Sequence, residues 1–249
     1  MKYSHMLEVK KINKSYGKEK VLRNLSFTLR EGDILSILGR SGSGKTTLLK
    51  ILAGLKQPDD GEVLLRERPI LQLPPQKRGM VYLYQETLLF PHLNVFENVA
   101  FGLRVRKLPG DEIHKRIMQL LQELGMDGHI GKMPDQLSGG QQQRVAFGRA
   151  LIINPSLLLL DEPFGKLDSR TREEMQDLFL RICHEHRISV LFVTHDLKEA
   201  LCMGDRVARM EEGQLKIYDQ RSDFIRDEAT GAQKEMDFWI KIREEAKRK

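Results

Sequence analysis

The sequence predicts an α/β protein: a parallel sheet, antiparallel strand material near the N-terminus, and a helical insertion of about 70 residues, a size within ordinary domain variation. Three patterns carry that expectation. Leu25, Phe27 and Leu29 alternate with polar residues, as in a half-buried antiparallel strand. Short apolar runs at 33–38, 79–84, 157–160, 190–193 and 207–210 have the length of buried strands. Between Tyr84 and Leu157 the apolar spacing changes to that of helices.

Taken in order, the run at 33–38 leads directly into a Gly-rich stretch. A helical pattern follows, Leu48, Leu49, Ile51, Leu52 and Leu55, which Pro58 is expected to stop. Ile113, Ile117, Leu120, Leu121 and Leu124 mark a further helix with Gly125 as its stop, and residues 142–151 are also helical in pattern. The expected organisation is a core of residues 1–85 and 156–220, a helical insertion at 86–155 and a tail at 221–249. Within the tail, Ala232, Met236, Trp239 and Ile240 form one stripe of a surface helix over 229–249, expected to dock on the chain's own core. Anionic lipid is the alternative for that stripe, because Trp239 and the closing Lys247-Arg248-Lys249 favour a membrane interface.

Composition excludes several classes. With 249 residues, 40% apolar and 31% charged, the chain builds a core without disulfides and is not generally disordered. No window holds 18 uninterrupted apolar residues, and residues 1–20 lack the apolar stretch of a secretory signal. Cys183 and Cys202 are too few for a disulfide scaffold and are expected to be free thiols in a reducing cytosol. Repeats and low-complexity segments are missing, which removes solenoids and long linkers. The net charge of +6 permits a nucleotide, acidic lipid or nucleic acid partner, but the basic residues are scattered as on a solvated surface.

Chemistry concentrates in a few stations. Gly39-Arg40-Ser41-Gly42-Ser43-Gly44-Lys45-Thr46 fits G-x-x-x-x-G-K-[ST], with a strand before it and a helix after it. Glycines let successive backbone N–H groups surround phosphate oxygens, and the helix N-terminus, continuing through Thr47, adds partial positive charge. Lys45 supplies a point charge for the outer phosphates, and Thr46 a hydroxyl for Mg²⁺. The loop therefore implies a P-loop core and a nucleoside triphosphate ligand. Farther on, the apolar run 157–160 delivers Asp161 and Glu162 side by side. Burying unpaired charge costs about several kcal/mol, so two adjacent carboxylates at a strand end have few structural excuses. Beside a P-loop, Asp161 suits Mg²⁺ through water and Glu162 suits polarising an attacking water.

Leu137-Ser138-Gly139-Gly140-Gln141 precedes the helical 142–151; alone, it reads as a Ser-Gly helix cap. In the order P-loop, L-S-G-G-Q, then four leucines with Asp161-Glu162-Pro163, the chain resembles the ATP-binding-cassette (ABC) ATPases over about residues 6–220. That resemblance implies a RecA-like mixed sheet with an N-terminal antiparallel β part and an inserted α-helical signature subdomain. It further implies that Tyr16 stacks on adenine, that Gln85 reaches metal and attacking water, and that His195 contacts the γ-phosphate. Gln85, Asp161 and His195 each fall where an apolar strand ends, so one crevice at the carboxyl ends of the strands can collect them. One departure is visible: the family's Ser-Ala-Leu-Asp loop reads Gly165-Lys166-Leu167-Asp168, where Asp168 keeps the inferred role at the nucleotide.

The resemblance implies an ATPase with ATP and Mg²⁺ as cofactors, working as a homodimer or paired with a related cassette subunit. In such a pair the 137–141 segment of one subunit covers nucleotide on the P-loop of the other. The expected partners are an integral membrane permease on separate polypeptides and, through it, a solute-binding protein, with the chain peripheral at the cytoplasmic face of the membrane. No nucleic acid partner is expected. Residues 88–103 look like the importer branch serving polyamines, iron, sulfate and similar solutes. The alternative is a cassette ATPase acting on nucleic acid or ribosomes, whose relatives carry long coiled coils or two cassettes per chain. About 30 residues follow the cassette, fewer than the β-type C-terminal regulatory domain of many related importers needs. Exposed apolar residues in the segment 85–103, with Leu89 and Phe90 as examples, are expected to form a groove for a permease helix.

Overall fold

A computed structural model describes residues 5–247. Two sheets organise it. The first has the order β2-β1-β4-β5, built from β1 (His5–Tyr16), β2 (Glu19–Arg30), β4 (Asp60–Leu65) and β5 (Arg68–Pro69), all antiparallel. The second contains β3 (Ile34–Leu38), β6 (Met80–Leu83), β7 (Leu157–Asp161), β8 (Ser189–Thr194), β9 (Arg206–Glu211) and β10 (Gln214–Tyr218). Its order is β10-β9-β3-β8-β7-β6, parallel except for the β10–β9 hairpin. β3, β7 and β8 are apolar on both sides because both faces are covered, which is the usual condition of a parallel sheet.

Alternation along these strands divides two cores. Leu35, Ile37, Leu157, Leu159, Leu191 and Val193 face the antiparallel sheet and helix α1 (Lys45–Leu52), whose Leu48, Leu49, Ile51 and Leu52 are fully buried. Leu158, Leu160, Val190 and Phe192 face the other way. They meet α5 (Ser169–Glu185) and the helices of the insertion, α2 (Val95–Val105), α3 (Gly110–Glu123) and α4 (Gly139–Leu151). Four aromatic rings join insertion to sheet: Phe147 of α4 lies 5.0 Å from Phe179 of α5, and Phe164 lies 6.1 Å from Phe192. Each such buried side chain contributes about 1.5–3 kcal/mol of transfer free energy.

Helix α1 ends at Leu52, short of the expected stop at Pro58. Gly54, at φ +83°, takes the left-handed conformation that closes a helix at low cost, and the chain leaves the helix there. The orphaned carbonyls find an unexpected partner. Arg78 is buried, and its guanidinium donates to Ile51 O (2.7 Å), Leu52 O (3.0 Å), Leu71 O (2.8 Å) and Leu73 O (2.8 Å). One side chain thus caps α1 and pins the loop leading to β6. The strand expected at 79–84 is the slightly shorter β6.

The chain ends in α6 (Leu197–Met203), α7 (Arg221–Arg226) and α8 (Ala232–Lys247). The tail is helical as its spacing predicts, but its stripe is not docked. Only Ala232 is buried, while Met236 (39%), Trp239 (61%) and Ile240 (52%) are exposed, joined by Phe238 and Ile242. The reason is geometric: α8 touches α7 and the preceding turn, and Met236 and Trp239 then line an open cleft opposite Leu197, Leu201 and Cys202 of α6 instead of closing on it. Arg248 and Lys249 lie outside the described residues. No described helix is long and apolar enough to cross a membrane.

Two substitutions test this account in opposite directions. Arg78→Met removes the guanidinium from four carbonyls, of which Ile51 O keeps the Gly54 N–H. It is expected to cost about 2–4 kcal/mol, read as a fall in Tm of roughly 5–15 °C. Deleting residues 233–249 removes little buried surface and is expected to leave Tm within about 2 °C of the parent.

Candidate active site

Parallel pairing brings the carboxyl ends of β3, β6, β7 and β8 to one edge. Leu38 pairs with Thr194, Asp161 with Val193 and Leu83 with Leu160, so the residues that follow each strand converge. The loop 39–44 leaves β3 and enters α1. Gly44 caps that helix at φ +105° with no side-chain hydrogen bond, and an added Cβ there would fall 2.9 Å from the Val21 carbonyl oxygen. A non-glycine residue is excluded on both counts.

Lys45 is buried under the loop. Its ammonium donates to Gly39 O (2.7 Å) and Arg40 O (3.0 Å). Burial lowers its pKa, against the opposing pull of the Glu162 and Asp161 carboxylates. Ser43 Oγ is buried beside it with no hydrogen-bond partner. An ammonium folded back on its own loop, an orphaned hydroxyl and an uncapped helix N-terminus together fit the oxygens of a polyphosphate.

Asp161 stands at the end of β7 with both oxygens occupied. Thr46 Oγ1 donates to Oδ1 (3.1 Å), and Tyr82 Oη donates to Oδ2 (2.7 Å). A hydroxyl and a carboxylate in contact, next to a phosphate-shaped loop, are the oxygen donors a Mg²⁺ ion prefers. Next in sequence, Glu162 adopts φ +47°, a left-handed backbone that costs about 1–3 kcal/mol in a non-glycine residue. Its backbone N–H donates to Val193 O (3.0 Å), and its Oε2 lies 2.9 Å from His195 Nδ1. Because a carboxylate only accepts, His195 carries its proton on Nδ1 and leaves Nε2 free. A cleft of ≈ 470 Å³ is lined by Ser41, Thr46, Gln85, Asp161 and Glu162 together with Tyr82.

Buried polar groups hold this edge in place. Thr194 Oγ1 donates to Glu199 Oε2 (2.7 Å) and accepts from the Asp196 N–H, while Asp196 caps α6 through the Glu199 N–H. Gln176 of α5 donates to the other oxygen of Glu199, whose pKa is raised by burial. On the side of the insertion, Thr87 Oγ1 donates to Gln143 Oε1 of α4 (2.6 Å). Buried Asn98 binds Phe90 through both N–H and C=O and reaches Leu93 O and Asn94 O. Sequence reading missed Tyr82, Thr194, Glu199, Gln143 and Asn98. No local signal marks them: Tyr82 joins the site because β6 pairs with β7 so that it lies opposite Leu159, two residues before Asp161.

The other expected site residues lie apart from the cleft. Ser138 caps α4 in a capping box with Gln141, whose amide also meets His129 Nε2 at 3.1 Å. Gly140 packs so closely on Thr171 that a Cβ would fall 2.5 Å from its methyl carbon. Asp168 caps α5 by accepting from the Thr171 N–H, and its hydrogen bonds to Thr171 lower its pKa. Tyr16 ends β1, 44% exposed, with Lys14 Nζ 5.7 Å from its ring centre. Thr47 sits half-buried in the first turn of α1. In the unusual Gly165-Lys166 pair, a methyl at Gly165 would fall 3.4 Å from Gln85 Nε2, and Lys166 reaches Glu86 at 3.1 Å. Both partners of that ion pair are mainly exposed, so it contributes less than about 1 kcal/mol.

Residues 22–165, more than half of the chain, match the family model described as ABC transporter. The chain belongs to the ABC transporter family. It is 42% identical over 213 residues to the spermidine/putrescine import ATP-binding protein PotA of Mycoplasma capricolum, covering 86% of this chain and 61% of the relative. It is 46% identical over 220 residues to the molybdate/tungstate import ATP-binding protein WtpC of Pyrococcus horikoshii, covering 88% and 64%. The chain thus spans about three-fifths of the length of these curated relatives. Among solved structures it is similar to cbiO1 from Clostridium perfringens, part of the ABC transporter complex cbiONQ. The TM-score is 0.83 at 29% identity, over 91% of this chain and 93% of that one. A dimeric bacterial ABC transporter cassette matches at TM-score 0.74 and 34% identity, over 85% and 97%.

Proposed function

We propose that this chain is the ATP-hydrolysing subunit that powers solute transport, in the import direction, through a separate membrane permease. The observation that carries the reading is the meeting of Lys45, Thr46, Asp161, Glu162 and His195 at one edge of the parallel sheet. Relatives named for polyamine, molybdate/tungstate and sulfate/thiosulfate import support transport over work on nucleic acid or ribosomes. Their three cargoes differ, as expected if cargo is read by other chains.

Bound ATP supplies the reacting γ-phosphoryl group and Mg²⁺ supplies charge neutralisation. The chain's own residues do the rest. The Lys45 ammonium exchanges two loop carbonyls for phosphate oxygens, a gain because the new partners are charged. The 39–44 backbone and Ser43 hold the phosphate chain, with Thr47 closing the first turn, and Tyr16 stacks on adenine. Thr46, Asp161 and Gln85 hold the ion. Glu162 orients and polarises the attacking water, and His195 holds that carboxylate beside the γ-phosphate. In a head-to-tail pair of cassettes, Ser138, Gly139, Gly140 and Gln141 of one subunit cover the nucleotide of the other, with Asp168 beside it. ATP-dependent closure and hydrolysis-dependent opening then form a switch. This places the chain at the cytoplasmic face of the membrane, with a solute-binding protein acting through the permease.

Insertion residues at 86–105 supply the surface for the permease. Leu89 packs half-buried against the helical core, and the ring of Phe90 is covered by Arg149 and by Phe101, whose ring centre lies 4.6 Å away. Leu88 (53%), Phe101 (42%) and Val105 (66%) are the exposed large apolar members; Leu88 lines the site cleft, so Phe101 and Val105 on α2 replace Leu89 and Phe90 as the residues to test.

Glu162→Gln is expected to keep ATP binding and lower steady-state hydrolysis by more than about a hundredfold. Sedimentation should then find a dimer with Mg-ATP and mainly monomer without it. Lys45→Ala is expected to weaken binding of a fluorescent ATP analogue at least about tenfold. Equal affinity in parent and variant removes Lys45 from the phosphate site. Phe101→Glu should leave basal hydrolysis within about twofold and abolish co-purification with the permease. Undiminished association and transport would put the docking surface elsewhere.

A further inference from the structure

We infer that Tyr82 is a positioning residue for Asp161, holding that carboxylate in the orientation in which it serves the metal. The inference rests on the reading of Asp161 as a metal-side residue.

Register creates the contact. Tyr82 pairs with Leu159 across parallel β6 and β7, so its side chain leaves the same sheet face as Leu159 and Asp161. A tyrosine is long enough to reach one pleat along that face, and its hydroxyl arrives 2.7 Å from Asp161 Oδ2. The ring packs against Tyr84, with centres 4.4 Å apart and planes tilted by 52°, so its direction is set by that contact as well as by the hydrogen bond. A carboxylate only accepts, so the phenol hydroxyl is the donor in this contact.

The two oxygens of Asp161 differ in consequence. Oδ2 is held by a neutral donor fixed in the sheet, while Oδ1 meets Thr46 Oγ1, the hydroxyl that opens α1. A carboxylate free to rotate would spread itself over several orientations, and fixing one oxygen removes that freedom from the other. Phenylalanine at this position preserves the ring and its contact with Tyr84 and deletes only the donor.

Mn²⁺ as a spectroscopic probe tests the idea. Parent, Tyr82→Phe and Asp161→Asn proteins are titrated with Mn²⁺ in the presence of a non-hydrolysable ATP analogue, with bound metal read by electron paramagnetic resonance. Analogue binding is measured separately in the presence of a chelator. Tyr82→Phe is expected to raise half-saturating Mn²⁺ about three- to tenfold while metal-free analogue affinity and Tm stay as in the parent. Asp161→Asn should raise it further. Parent-like metal binding in Tyr82→Phe, with metal binding lost in Asp161→Asn, overturns the positioning role and leaves the functional reading intact. Parent-like metal binding in both variants overturns the assignment of Asp161 itself. Equal losses of metal-free and metal-dependent binding in Tyr82→Phe would mark a merely structural role and also overturn the inference.

Discussion

Parallel pairing of β6, β7, β8 and β3 is the constraint on which the site depends, because parallel strands in register end level with one another. Leu83, Asp161, Thr194 and Leu38 finish at the same edge, and the next residue or loop on each is polar. The sheet can be held this way only because both faces are covered, one by α1 and the antiparallel sheet and the other by α5 and the insertion. Antiparallel pairing would have sent alternate strand ends to opposite edges and dispersed the same residues.

Charge at that edge is arranged before any ligand arrives. Lys45 is buried near Asp161 and Glu162, yet its direct partners are two loop carbonyls. Asp161 is satisfied by two neutral hydroxyls and Glu162 by His195. Each of these groups is therefore already partnered within the chain, and exchange of a neutral partner for a charged ligand is favourable. The left-handed backbone at Glu162 belongs to the same design: it turns the carboxylate toward His195, at a cost the surrounding sheet absorbs.

The insertion is attached by two kinds of contact. Phe147, Phe164, Phe179 and Phe192 form an apolar joint with the sheet. Thr87 and Gln143 add a directional tie between the segment after Gln85 and the middle of α4, whose first turn carries the L-S-G-G-Q residues. Gln85 also lies against Gly165, the residue where the chain departs from its family's usual loop. A Cβ there would make only ordinary contact with that flexible side chain, so the structure gives no steric reason for the glycine.

How much was legible beforehand follows from which interactions are local. The strand–loop–helix at 33–52, the apolar run ending in Asp161-Glu162 and the helical spacing of the insertion are short-range patterns, and the sequence alone determined them. Motif order then determined the family, because spacing along the chain is itself the signal. Long-range partners carry no such pattern. Nothing near Arg78 announces that it caps α1, since its acceptors are carbonyls 26 and 27 residues away. Gly54 ended α1 ahead of Pro58 because a left-handed cap there could receive Arg78. The tail stripe has the periodicity of a docked helix, but how closely it meets α6 is a long-range matter, and the open cleft between them leaves Trp239 and Ile240 exposed. Tyr82 became part of the site only through the register of β6 on β7. Sequence by itself determined the family and singled out the candidate site residues, because their types and spacings are local; tertiary structure alone decided which neighbours hold them, because those contacts depend on register and chain direction.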